Sequence, residues 1–150
     1  MQESASNPER LNPRQLIDYL KQFVANKRTT LNEVFIRRIV SAVFFALFNY
    51  WALKSYIKGK RGDGPYGDSF RLSTFFEDLL SKGFDYAIYL LFLYRVGADH
   101  YILNPTTVVL LSKPWKGVQE NVEINYDVLE ILLESAYDIL DYLEKHYNHY

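Results

Sequence analysis

Arginine and histidine stand five residues apart in the run Arg95-Val-Gly-Ala-Asp-His100. Side chains of these two types can cleave RNA without a metal. In that chemistry the ribose 2′-hydroxyl attacks the adjacent phosphorus, so the site must move protons and stabilise developing negative charge. Histidine titrates near the working pH, and a positioned acid–base group contributes roughly 10²–10⁴-fold. Arginine presents a planar fork of donors that matches phosphate oxygens. Five residues put the two side chains roughly 140° apart on an ideal helix. They are expected to converge where the helix ends or distorts, which Gly97 permits, or where a second subunit completes the site. A structural reading stands beside the catalytic one: Arg95 pairs with Asp99 at i,i+4 spacing, and His100 caps the negative end of the helix.

Other chemistry is poorly represented. There is no cysteine, so no disulfide or thiolate metal site forms. His146 and His149 are too little for a metal site, and no nucleophile elbow or dinucleotide loop occurs. Gly59-Lys-Arg-Gly-Asp-Gly-Pro-Tyr-Gly67 lacks the Lys-Ser/Thr ending of a phosphate loop and reads as a surface connector. Neither metal nor cofactor is expected. Lys54, Lys58, Lys60 and Arg61, at the end of a long helix and the start of that loop, are candidate contacts to RNA phosphates.

Five helical regions must position these residues. The first spans about Pro13 to Asn26, with Asn12 as N-cap and Pro13 at the first helical position. The second runs from about Leu31 to Ile57 or Lys58, and Thr30-Leu-Asn-Glu33 has the capping-box pattern. Its apolar residues cover nearly the whole circumference, so it is expected to be covered on most sides, partly by another subunit. Thr74 to Lys82 forms a short third helix with Thr74 and Glu77 as a capping pair. A fourth spans about Phe84 to Asp99, and an amphipathic fifth about Tyr126 to His146. Between them, Tyr101 to Asn125 breaks the pattern. Pro105 and Pro114 frame a β-branched run that reads as a short strand or extended arm at 105–124, with packing across a subunit interface as one role.

Composition bounds the whole. The 150 residues make a single domain, and 49% hydrophobic content excludes disorder. The polar stretch Met1 to Arg10 lacks a signal-peptide run, and absent cysteine suits a reducing compartment, so a cytoplasmic location is expected. Ile39 to Leu53, the most apolar stretch, has 15 residues, short of the roughly 20 a membrane span needs. Residues 1–62 hold 11 Lys/Arg and 4 Asp/Glu, whereas residues 63–150 hold 6 and 14. Either the acidic final helix has a solvated face or the basic half faces a polyanion.

Two segments carry a family likeness. Ser41-Ala-Val-Phe-Phe-Ala-Leu-Phe48, preceded by Arg37 and Arg38, resembles the Ser-Arg-x-Tyr-Tyr-Ala-x-Phe pattern of HEPN (higher eukaryotes and prokaryotes nucleotide-binding) domains. Arg95 to His100, followed by Tyr101, resembles their Arg–His motif. The likeness covers residues 31–147. Ala42 stands where the family commonly has arginine, Phe44 and Phe45 where it has tyrosines, and Val96 where nucleases usually have Asn, Asp or His. The resemblance implies an all-α, up-and-down bundle of four to five helices and a toxin-like, metal-independent endoribonuclease. It implies a homodimer with its two Arg–His motifs close together, supported by Arg37, Arg38, Ser41, Asp99 and Tyr101. It equally accommodates a catalytically silent module that binds a nucleotide or partners a small nucleotidyltransferase, as in two-component toxin–antitoxin systems.

Overall fold

A computed structural model describes residues 12–27, 32–58, 72–100 and 107–146. Asn12 opens the first helix as its sequence position suggests, its side-chain oxygen accepting from the Gln15 amide at 2.8 Å. With Pro13 at the first position, α1 spans Pro13–Asn26. The second helix, α2 (Glu33–Lys58), starts later than the capping-box pattern predicts. Asn32 caps it, accepting from the Phe35 amide at 2.9 Å, and Glu33 turns instead to Arg37 at 2.8 Å. Thr30 lies outside the described residues. Helix α3 (Leu72–Ser81) begins two residues before Thr74, which therefore sits inside the first turn rather than capping it. Helices α4 (Asp85–His100) and α5 (Tyr126–His146) follow, the latter capped by Asn125 through the Val128 amide at 2.9 Å.

The helices form an all-α bundle whose directions follow from side-chain contacts between their ends. Arg37, near the start of α2, reaches Gly97 near the end of α4. Phe84, just before α4, lies against Tyr142 near the end of α5. Arg14 at the start of α1 pairs with Glu144 at the end of α5. Neighbouring α2 and α4, α4 and α5, and α1 and α5 therefore run antiparallel.

Helix α2 is the core helix, packed against α1, α3, α4 and α5. Phe44 and Leu47 are fully buried, and the Phe44 ring meets Phe75, Phe76 and Phe92 at 5.9–6.4 Å. About half of its apolar stretch, 50% of the window from Glu33 to Lys54, is thus covered within one chain. Among its described side chains, Val34, Phe35 and Leu53 are the large apolar residues that stay mostly exposed. By length and composition, Glu33–Lys54 is long and apolar enough to cross a membrane, more than the 15-residue stretch suggests. Its packing is that of a core helix.

The irregular segment forms a hairpin. Strands β1 (Thr107–Val109) and β2 (Gln119–Asn121) pair antiparallel, Val108 opposite Glu120. Val108, Leu110, Val122 and Ile124 are buried, and Trp115 packs on Phe76, Tyr89 and Phe92 at 4.9–6.0 Å. The arm therefore folds back on its own α3 and α4. Leu111 alone of the arm's large apolar side chains among the described residues stays mostly exposed, at 76%.

Candidate functional site

Helix α4 runs unbroken through Gly97 to His100. Arg95 and His100 nevertheless meet, with Nη1 3.3 Å from Nε2. Neither a break nor a second subunit is needed. The five-residue step rises only roughly 7.5 Å, which the extended arginine stem spans. Gly97 has a different task from the expected one. A Cβ there would lie 3.3 Å from methyls of both Val108 and Val122, so the missing side chain lets the hairpin close on α4.

Arg95 is 11% exposed and seated on aromatic rings. Its guanidinium carbon lies 5.3, 5.1 and 5.4 Å from the ring centroids of Phe44, Phe45 and Phe92. These faces attract the cation, while Nε is buried without a hydrogen-bond partner. Burial pushes its pKa below the ordinary arginine range, and Asp99, 3.7 Å from Nη1, opposes that shift. The guanidinium still stays charged at neutral pH. The expected ion pair and the contact to histidine thus coexist on one nitrogen.

Helix α2 holds the other side. Asp99 accepts from Arg38 Nη2 at 3.1 Å and from Ser41 Oγ at 3.1 Å. Arg37, 1% exposed, donates to the Gly97 and Ala98 carbonyls at 2.8 and 3.4 Å, and Arg38 reaches Ala98 at 3.1 Å. The last carbonyls of a helix lack intrahelical partners and carry its negative pole, so these two cations satisfy the end of α4. His100 is exposed at that end.

Arg37, Arg38, Ser41, Arg95, Asp99 and His100 therefore come together from two helices. Lys54 does not join them. It lies 13 residues beyond Ser41 on α2, roughly 20 Å along the axis. Its ammonium sits 5.3 Å from the Tyr50 ring, at the end of the bundle where Tyr50, Asp141 and Glu144 share a hollow. The Lys58 side chain, Lys60, Arg61 and Tyr101 lie outside the described residues. Two partners escaped the sequence reading. Phe92 lies three residues before Arg95, on the same helical face, and Glu33 precedes Arg37 by four. Compared with known proteins, the chain matches no protein-family model, no curated protein and no solved structure.

Proposed function

We propose that this chain is a metal-independent endoribonuclease of HEPN type, toxin-like and cytoplasmic, working as a homodimer whose Arg95–His100 pairs line one cleft. The 3.3 Å contact between Arg95 and His100 carries the reading, because it sets a phosphate-matching fork beside an imidazole, a side chain that can take and return a proton. His100 takes the 2′-hydroxyl proton as the 2′-oxygen bonds to phosphorus. Arg95, with the half-exposed Arg38 beside it, steadies the negative charge. The bond from phosphorus to the 5′-oxygen breaks, and that oxygen leaves as a hydroxyl, its proton returned by a histidine. The products are a 2′,3′-cyclic phosphate and a 5′-hydroxyl. Lys54, Lys58, Lys60 and Arg61 serve as a separate phosphate-contact patch for flanking RNA.

One observation favours a second reading. Arg95 also pairs with Asp99, as a purely structural arginine would. On that reading the chain is a silent binding module for a nucleotide or a small nucleotidyltransferase. Incubating total RNA in EDTA with wild type and His100→Ala separates the two. Wild type should cleave and leave cyclic phosphate ends, while His100→Ala should not. If neither cleaves, or both cleave equally, the ribonuclease reading fails and the binding module stands.

A further inference from the structure

Val34 and Phe35 project from the first turn of α2 with 58% and 53% of their surface in water. Their turn is well tied. Asn32 accepts the Phe35 amide at 2.9 Å, and Glu33 holds Arg37 at 2.8 Å. The aromatic ring is therefore presented from a fixed backbone. Three residues on, roughly 4.5 Å along the axis and on the same face, is Arg38. Its side chain is 53% exposed, yet it contacts Asp99, the neighbour of His100. The stripe continues through Ser41 to Phe45, whose ring lies under the Arg95 guanidinium. One face of α2 thus leads from an exposed ring to an exposed cation and on to the Arg95–His100 pair.

Single-stranded nucleic acids are held in this way, with cations on the phosphates and aromatic rings against the bases. A base inside a duplex has both faces covered by its neighbours and cannot lie on a protein ring. We propose that Phe35 is a stacking platform for a base of single-stranded RNA, next to the phosphate held by Arg38 and Arg95. This rests on the ribonuclease reading of the same site. A second copy of the chain is a poorer occupant. A two-fold contact centred on Phe35 would press Arg38 against another Arg38, whereas two such faces lining one cleft leave the strand between them. A polyanionic strand instead complements that charge.

The test uses fluorescence anisotropy with a short single-stranded 2′-O-methyl RNA, which has no nucleophile, and an abasic strand with the same phosphates. Phe35→Ala should weaken binding of the base-bearing strand roughly ten-fold. Phe35→Tyr should bind like wild type, and the abasic strand should be indifferent to either change. The salt slope should stay unchanged in Phe35→Ala, whereas Arg38→Ala should lower it by about one. As a second measurement, Phe35→Trp should show emission quenched by the base-bearing strand and not by the abasic one. Equal binding by wild type and Phe35→Ala overturns the platform, as does an equal loss with both strands or failure of wild type to bind either. A loss that tracks dissociation of a dimer by light scattering also overturns it and makes the patch a subunit contact. Cleavage of total RNA, measured alongside, separates the two claims. Cleavage indifferent to Phe35 sinks only the platform. Phe35-dependent binding without cleavage sinks only the ribonuclease.

Discussion

Arg95 answers to three kinds of neighbour: ring faces below, a carboxylate to one side and an imidazole ahead. The carboxylate does not depend on it, because Arg38 and Ser41 also hold Asp99. This allows its two roles to be separated. Breaking a buried ion pair is costly when the remaining charge is left unpaired. Here Arg38 and Ser41 keep Asp99 partnered, and the substitution also removes the buried, unbonded Nε. Arg95→Met should therefore melt at or above the wild-type temperature while losing all RNA cleavage. A clear drop in melting temperature would instead make Arg95 a structural clamp. Arg95, Asp99 and His100 were legible together because they share one helix at short spacing. Their partners Arg38 and Ser41, some sixty residues earlier, were legible only through the family resemblance. Arg37 read as another supporting cation, since nothing local announces that an arginine will be buried against the end of a distant helix.

Elements meet here through single side chains whose loss can be measured. Gly97 gives the hairpin its approach to α4. Gly97→Ala gains helix propensity of about 1 kcal/mol but presses on two valine methyls, so its net effect should be small. Gly97→Val, with more atoms in the same gap, should destabilise by about 1–3 kcal/mol. Thermal melts of both variants check the ordering. The hairpin and α1 are also tied down by phenols. Tyr89 donates to Glu120 at 2.7 Å, with Tyr94 nearby, and Tyr137 donates to Asp18, with Arg14 and Lys21 against its ring. Burial first, then the accepting carboxylate, pushes each phenol up to about 12. A tyrosine titrates near about 10 when unfolded. Because the folded pKa is the higher, the contribution is complete below about pH 10 and is lost as pH rises towards about 12. The melting temperature should fall across that window, and Tyr89→Phe with Tyr137→Phe should flatten the fall. An unchanged slope would remove both ties from the account. Helix existence was legible from apolar periodicity and from Asn12 and Pro13. The start of α2 was not, since Thr30 and Asn32 both offered a cap and only the packed chain selects between them, and α3 begins two residues before the Thr74 that the capping pattern suggested.

At the scale of the molecule, the charge asymmetry along the sequence is partly consumed by folding. Arg14 from the basic half pairs with Asp141 and Glu144 of α5, while Asp127, Glu130, Glu134 and Asp138 remain exposed. That acidic face is a poor surface for the proposed RNA or for a second copy of itself, and the end of the bundle with Arg38 and His100 is where the proposal places them. The apolarity of α2 argued for a partner before folding. Folding supplies part of that cover from α1, α3, α4 and α5, and leaves Val34, Phe35 and Leu53 more than half exposed. The proposed homodimer rests also on the proposed chemistry. Two proton transfers are needed, and one chain brings a single described histidine to Arg95. Light scattering at micromolar concentration should give twice the chain mass of 17.7 kDa. Cleavage per chain should also fall steeply once dilution separates the copies, and adding excess His100→Ala should restore little of it. A single-chain mass, with cleavage per chain constant on dilution, would mean that one Arg95–His100 pair suffices and that water completes the second transfer.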